Sequence, residues 1–164
     1  QRKHRSEMLN VSLVGYTNAG KSTLFNRLTK SGVLAEDKLF ATLDPTTRIF
    51  KLPSNHKLLL SDTVGFINKL PHELVASFKA TLVEVAEADL LLHVADAGHP
   101  NLDKHVQVVN EVLTELEAND VPTILLFNKC DLIDNSRRRF LNTEYPHSIL
   151  ASALNGQGFN KLLN

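Results

Sequence analysis

The chain has 164 residues, 43% of them hydrophobic, which suits one globular domain with its own core. Lysine plus arginine and aspartate plus glutamate each number 18, so the zero net charge argues against a basic nucleic-acid-binding domain. The single cysteine excludes an intramolecular disulfide, and no apolar segment reaches transmembrane length, so we expect a cytoplasmic protein without a membrane anchor.

Short apolar runs alternate with helical patterns along the chain, which is typical of βαβ units around a mostly parallel sheet. Strands are predicted at 11–15, 48–52, 56–62, 89–97, 122–129 and 147–153. Helices are predicted at about 21–30, 71–88 and 103–120, with further helices before and after the last strand. The second and third strands form a pair around a Pro-Ser-Asn turn. We therefore predict an α/β fold whose mostly parallel six-stranded sheet has one antiparallel strand and helices on both faces.

The first strand leads into Gly15-Tyr16-Thr17-Asn18-Ala19-Gly20-Lys21-Ser22, a complete G-x-x-x-x-G-K-[ST] pattern before a helix. Glycines allow the backbone amides to turn inward as an anion nest, and the helix N-terminus adds positive potential. Lys21 is expected to reach the β- and γ-phosphates, and Ser22 to offer its hydroxyl to Mg²⁺. The residues predicted to line the nucleotide phosphates are Asn18, Ala19, Gly20, Lys21, Ser22 and Thr23.

Asn128-Lys129-Cys130-Asp131 follows a predicted strand at the sheet edge where open α/β sheets bind ligands. The carboxylate of Asp131 can accept hydrogen bonds from guanine N1–H and the 2-amino group, which adenine cannot supply. We expect Asn128 to brace the phosphate loop and the stem of Lys129 to cover the base.

Ser152-Ala153-Leu154 follows the last predicted strand. The N–H of Ala153 is a candidate donor to guanine O6, and all three residues are predicted to contact the nucleotide. Taken with Asn128 to Asp131, and in this order after a complete phosphate loop, the pattern favours a guanine nucleotide, GTP or GDP.

Asp62-Thr63-Val64-Gly65 ends the third predicted strand. Asp62 is expected to hold Mg²⁺ through water, and the N–H of Gly65 to meet the γ-phosphate. Thr42 is our candidate for the hydroxyl that joins Mg²⁺ and γ-phosphate, with Thr46 and Thr47 as alternatives. The predicted catalytic set is Lys21, Thr42 and Gly65.

The strings VGYTNAGKSTLFN, LFATLDPTTR, DTVGFI and LPHELV resemble the GTPase domain of the HflX family, bacterial GTPases of the large ribosomal subunit. The resemblance implies a Ras-like P-loop GTPase fold of the translation-factor-related class, GTP hydrolysis, and ribosome splitting or rescue under stress. It also implies that residues 1–9 are the tail of a preceding linker and that 10–164 form the GTPase domain. We expect its last helix to be truncated, and contact with ribosomal RNA to be made by parts outside this chain.

Phe66 stands where many GTPases have a glutamine that orients the attacking water, and a phenyl ring cannot do this. One candidate substitute is K⁺ held near the phosphates by Asn18, although this side chain could simply cap the loop. The other is the ribosome, which would order the segments 39–48 and 66–74 that we predict to be mobile. Slow intrinsic turnover leaves an alternative: a nucleotide-dependent binding module, or a ribosome-assembly or tRNA-related GTPase.

Overall fold

The computed structural model describes residues 9–16, 19–29, 46–52, 54, 56–62, 85–115, 117–118 and 120–158. Its strands are β1 (Leu9–Gly15), β2 (Thr46–Lys51), β3 (Lys57–Asp62), β4 (Leu90–Asp96), β5 (Thr123–Asn128) and β6 (Ile149–Leu150). Its helices are α1 (Lys21–Thr29), α2 (Leu102–Glu115) and α3 (Asn135–Glu144), with a 3₁₀ turn at Cys130–Leu132. None of these helices is long and apolar enough to cross a bilayer.

The described strands form one six-stranded sheet in the order β2-β3-β1-β4-β5-β6. β2 runs antiparallel to β3, and all other neighbouring pairs are parallel. This topology confirms the predicted α/β architecture with one antiparallel strand. It also brings the carboxyl ends of β1, β3, β4 and β5 to one edge of the sheet, where the candidate site residues begin.

Apolar side chains cover both faces of the sheet. In β1, Leu13 packs with Leu24 and Phe25 of α1, whereas the neighbouring Val14 packs with Val109 of α2 on the other side. Phe127 of β5 joins a third cluster with residues of α2 and α3. Because successive residues of a strand point to opposite faces, α1 lies on one face and α2 and α3 on the other. The helices that the structure describes therefore lie on both faces, as predicted.

Several element ends differ from prediction. β1 begins at Leu9 and β2 at Thr46, both earlier than expected. α2 ends at Glu115 rather than near residue 120, because Glu117 has left-handed backbone (φ 58°) and the Ala118 N–H returns to the Leu113 carbonyl at 2.8 Å. Most of the helix predicted at 71–88, the helix after the last strand, and the ends at 1–8 and 159–164 lie outside the described residues. The linker and domain limits therefore remain predictions.

His93 lies in β4 between its register partners Val14 and Leu125 and is buried. Removal from water lowers the pKa of His93 from 6.5 to about 4. Between these two values the unfolded chain binds a proton that the folded chain does not. Stability should therefore fall as pH drops below 6.5, by about 2 kcal/mol between pH 7 and pH 5.

Urea unfolding of wild type and His93→Leu at these two pH values measures this contribution. The variant should lose less stability than wild type on acidification, by about 2 kcal/mol. His147→Gln, which changes an exposed histidine, is the matched control and should keep the wild-type pH dependence. An equal loss in wild type and His93→Leu would show that His93 does not govern acid stability.

Candidate nucleotide site

The phosphate-loop sequence connects β1 to the first turn of α1. Gly20 has φ +92°, and a Cβ there would lie 2.2 Å from Asn128 Nδ2. Only glycine combines this backbone conformation with so close a neighbour. The Leu24 N–H donates to the Gly20 carbonyl at 2.9 Å, so Gly20 caps the first turn of α1. The glycine of the pattern thus fixes the point at which α1 begins.

Lys21, Ser22 and Asp62 meet at the carboxyl end of β3. Lys21 Nζ donates to Asp62 Oδ1 at 2.8 Å, and Ser22 Oγ donates to Asp62 Oδ2 at 3.0 Å. Lys21 is 7% exposed and Asp62 is 2% exposed. Replacing such a buried pair by apolar residues is often neutral or stabilising, so its presence is weak evidence for a purely structural role. These three predicted residues form one cluster of a cation, a hydroxyl and a carboxylate.

Asn128 links two loops across the end of the sheet. Its Nδ2 donates to the Ala19 carbonyl at 3.0 Å, and its Oδ1 accepts the Ala153 N–H at 2.8 Å. The side chain is buried, so both bonds are shielded from water. The contact with Ala19 is the bracing of the phosphate loop that we expected. The Ala153 N–H donates to Asn128 because the two groups face each other at adjacent strand ends. Its donation to guanine O6 stays a prediction.

The segment after Asn128 changes direction sharply. Lys129 has left-handed backbone (φ 64°, ψ 32°), and the Cys130 N–H donates to the Ala151 carbonyl at 3.0 Å. Burial raises the pKa of the Cys130 thiol, so it is not an activated nucleophile. Asp131 is exposed in the first turn of the 3₁₀ helix. The carboxylate predicted to select guanine is therefore open to solvent.

The loop after β6 is fixed by its own hydrogen bonds. Ser152 is buried; its N–H donates to the Gln157 carbonyl at 2.9 Å, and its Oγ accepts the Asn155 N–H at 3.3 Å. Leu154, in contrast, is 76% exposed. Ser152 thus shapes the loop, while Leu154 lies at its surface.

The structure does not test the positions of several predicted site residues. Asn18, Thr42, Gly65 and Phe66 lie outside the described residues. Thr23 is half-buried in α1, on the helix that carries Lys21 and Ser22. The alternatives Thr46 and Thr47 both lie in β2, with Thr46 opposite Asp62 in the antiparallel register. The segment predicted to be mobile at 39–48 therefore ends in an edge strand.

Sequence reasoning missed three residues that organise this edge. Asp96, at the end of β4, accepts a hydrogen bond from Lys129 Nζ at 3.3 Å. Arg137 Nε donates to the Ala97 carbonyl and Arg138 Nη2 to the Cys130 carbonyl, each at 3.0 Å. The strand-end rule that identified Asn128 could have found Asp96. No local signal marks the two arginines, since their carbonyl partners lie in other loops.

A stack of aromatic rings adjoins the start of the phosphate loop and was also missed. Tyr16 and His105 are parallel within 3°, with ring centroids 3.7 Å apart, and His99 lies 4.2 Å from His105. Burial and the neighbouring His99 lower the pKa of His105. These ring contacts connect Tyr16, which follows Gly15, to α2.

Comparison with known proteins identifies the family of this chain. The profile described as 50S ribosome-binding GTPase matches residues 10–129. The chain belongs to the 50S ribosome-binding GTPase family. Within this family the expected resemblance to HflX is confirmed. The chain is 54% identical to GTPase HflX of Magnetococcus marinus, over all of this chain and 38% of the relative. It is 48% identical to GTPase HflX of Escherichia coli K12, over 99% of this chain and again 38% of the relative.

Solved structures agree on the P-loop GTPase fold. A GTP-binding protein from the hyperthermophilic archaeon Sulfolobus solfataricus, crystallised in complex with GDP, superposes with a TM-score of 0.73 at 29% identity. The match covers 99% of this chain and 52% of that chain. The chain therefore spans 38% of the length of these two HflX relatives and 52% of the length of the archaeal protein.

Proposed function

We propose that this chain binds GTP with Mg²⁺, hydrolyses it to GDP and phosphate, and acts as a switch on the large ribosomal subunit in the cytoplasm. The observation that carries the proposal is the Asn128 side chain, bonded at once to Ala19 of the phosphate loop and to Ala153 of the loop after β6. One buried amide thereby holds the loop for the phosphates and the loops for the base in a fixed relation.

The residues present fit Mg²⁺. This hard cation prefers oxygen ligands and is usually held by one or two carboxylates or hydroxyls together with phosphate oxygens and waters. Ser22 Oγ and the Asp62 carboxylate lie together at 3.0 Å, beside the ammonium of Lys21. Ser22 would hold the ion directly, Asp62 through water, and Thr42 would complete the set. When bound, the ion would neutralise charge on the β- and γ-phosphates.

The chain's own groups would act on the two ends of the nucleotide. Lys21 and the amides at the start of α1 would donate to phosphate oxygens, where negative charge accumulates as water attacks the γ-phosphorus and the bond to the β–γ bridging oxygen breaks. The N–H of Gly65 would contact the γ-phosphate and lose this contact after hydrolysis. Asp131, with Lys129, would select guanine.

A second candidate rests on Phe66. Without a glutamine at this position, turnover can be slow enough that the domain works mainly as a nucleotide-dependent binding module. The ribosome would then be the component that orders the catalytic groups. Splitting or rescue of ribosomes under stress is the finer form of the switch proposal, with RNA contact made by other parts of the longer protein.

Steady-state phosphate release, with and without large ribosomal subunits, separates the two candidates. We expect the subunit to raise kcat by at least about 10-fold, because ordering the catalytic groups recovers part of the transition-state stabilisation. Small subunits at the same concentration are the control and should leave the rate unchanged. An equal, slow rate in all three conditions would contradict the switch and favour the binding module.

Exchange of Na⁺ for K⁺ at equal ionic strength tests the role of Asn18. If this residue helps to hold K⁺ near the phosphates, K⁺ should raise the rate of phosphate release by about 10-fold through charge stabilisation. Asn18→Ala should then respond equally to the two ions. A wild-type rate that is the same in Na⁺ and K⁺ would remove the cation from the mechanism.

A further inference from the structure

Asp96 joins the end of β4 to the residue that follows Asn128. In the sheet register Asp96 lies opposite Asn128 on β5. One carboxylate oxygen of Asp96 accepts the Gly98 N–H at 3.0 Å, and the other accepts from Lys129 Nζ at 3.3 Å. The carboxylate is therefore oriented by its own backbone turn before it meets the lysine.

The stem of Lys129 runs beside the phosphate loop. Its Cε lies 3.7 Å from the position that a Cβ of Gly20 would take. The backbone of Lys129 is left-handed, so the chain turns sharply here after the end of β5. The aliphatic part of this lysine thus lies between the start of α1 and the end of β4, with its ammonium at Asp96.

Two arginines of α3 hold the loops that carry this pair. Arg137 donates to the carbonyls of Ala97 and His99, at 3.0 and 3.3 Å, on the Asp96 side. Arg138 donates to the carbonyl of Cys130 at 3.0 Å, on the Lys129 side. The loops that follow Asp96 and Lys129 are therefore both hydrogen-bonded to α3.

An ion pair this exposed contributes little to stability. The side chains of Lys129 and Asp96 are 34% and 21% exposed, and solvent screens the attraction between such charges. A lysine side chain has many rotamers, however, and a fixed partner at its tip removes most of them before a ligand arrives. The pair thus suits orientation of the lysine stem better than stabilisation of the fold.

We propose that Asp96 is a positioning residue for base recognition, which holds Lys129 so that its stem lies against one face of the guanine ring. The inference rests on the proposed guanine-nucleotide function. Because this role concerns the base and not the γ-phosphate, Asp96 affects binding of GDP and GTP equally and leaves the chemical step unchanged.

Titration of the full chain with GDP and GTP in the presence of Mg²⁺ tests this role. Asp96→Asn keeps an acceptor for the Gly98 N–H but loses the charge, and should weaken binding of both nucleotides by about 3- to 10-fold. KM for GTP should rise by the same factor at unchanged kcat. Asp96→Glu should recover part of the affinity. Glu111→Gln, which removes an exposed charge from α2, is the control and should bind as wild type does.

A double-mutant cycle with Lys129→Met decides whether Asp96 acts through the lysine. Asp96→Asn should cost nothing further in the Lys129→Met background. An equal loss in both backgrounds, or wild-type affinity in Asp96→Asn, would overturn the inference while leaving the proposed function in place. Absence of guanine-nucleotide binding by wild type in the same titrations would instead overturn the proposed function.

Discussion

Asp131→Asn is expected to weaken GDP binding by about 100- to 1,000-fold and to strengthen binding of xanthosine diphosphate. The carboxylate can accept from both N1–H and the 2-amino group of guanine. An asparagine amide would still accept from N1–H but would point an N–H donor at the amino group. Xanthine has a carbonyl at the same place, which accepts that donor. The base preference should therefore reverse.

Competition binding with the two diphosphates measures this reversal. Asp120→Asn removes an exposed carboxylate from the turn before β5 and is the matched control. It should retain the wild-type preference for guanine. Because Asp131 is exposed, its replacement should leave the circular dichroism spectrum and the melting temperature unchanged. Undiminished GDP affinity in Asp131→Asn would assign base recognition to other groups.

Lys21→Met should weaken GTP binding by about 100-fold and lower the free energy of unfolding by about 3 kcal/mol. The first effect follows from the loss of a charged donor to the phosphates. The second follows because Asp62, which is 2% exposed, loses a cation at 2.8 Å. A buried carboxylate without its counter-charge is costly.

Removal of both charges separates the two effects. The double variant Lys21→Met, Asp62→Asn should regain much of the stability lost in Lys21→Met, since no buried charge is left uncompensated, but should not regain affinity for GTP. Lys57→Met, which changes an exposed lysine at the start of β3, should alter neither quantity. Restored GTP binding in the double variant would show that Lys21 serves the fold and not the phosphates.

The strands, and the meeting of several candidate site residues at one edge, could be predicted from sequence because the signals are local. A parallel sheet covered on both faces needs continuous apolar runs, such as that of β4, and a phosphate loop needs glycine before the helix. The contact of Asn128 with Ala19 could be expected because polar residues at the ends of parallel strands share one edge.

The features that sequence reasoning missed depend on partners far along the chain. No local sequence signal marks Arg138, yet its side chain bonds to the Cys130 carbonyl. The bond between the Ala153 N–H and Asn128 joins residues that lie 25 positions apart in the chain. The end of α2 was placed too late because apolar spacing continues through Leu116, whereas the left-handed Glu117 stops the helix. Sequence patterns predict which side chains are buried, but they do not predict which acceptor a given donor binds.

The most direct test of the account is isothermal titration of the purified chain with GDP and with ADP in buffer containing Mg²⁺. We expect saturable heat with GDP, at one nucleotide per chain, and an affinity for ADP at least about 100-fold weaker, because adenine leaves the Asp131 carboxylate unpaired. Equal affinities for the two diphosphates would contradict guanine selection by Asp131. No heat with GDP would contradict the assignment of Lys21, Ser22 and Asp62 to a nucleotide site.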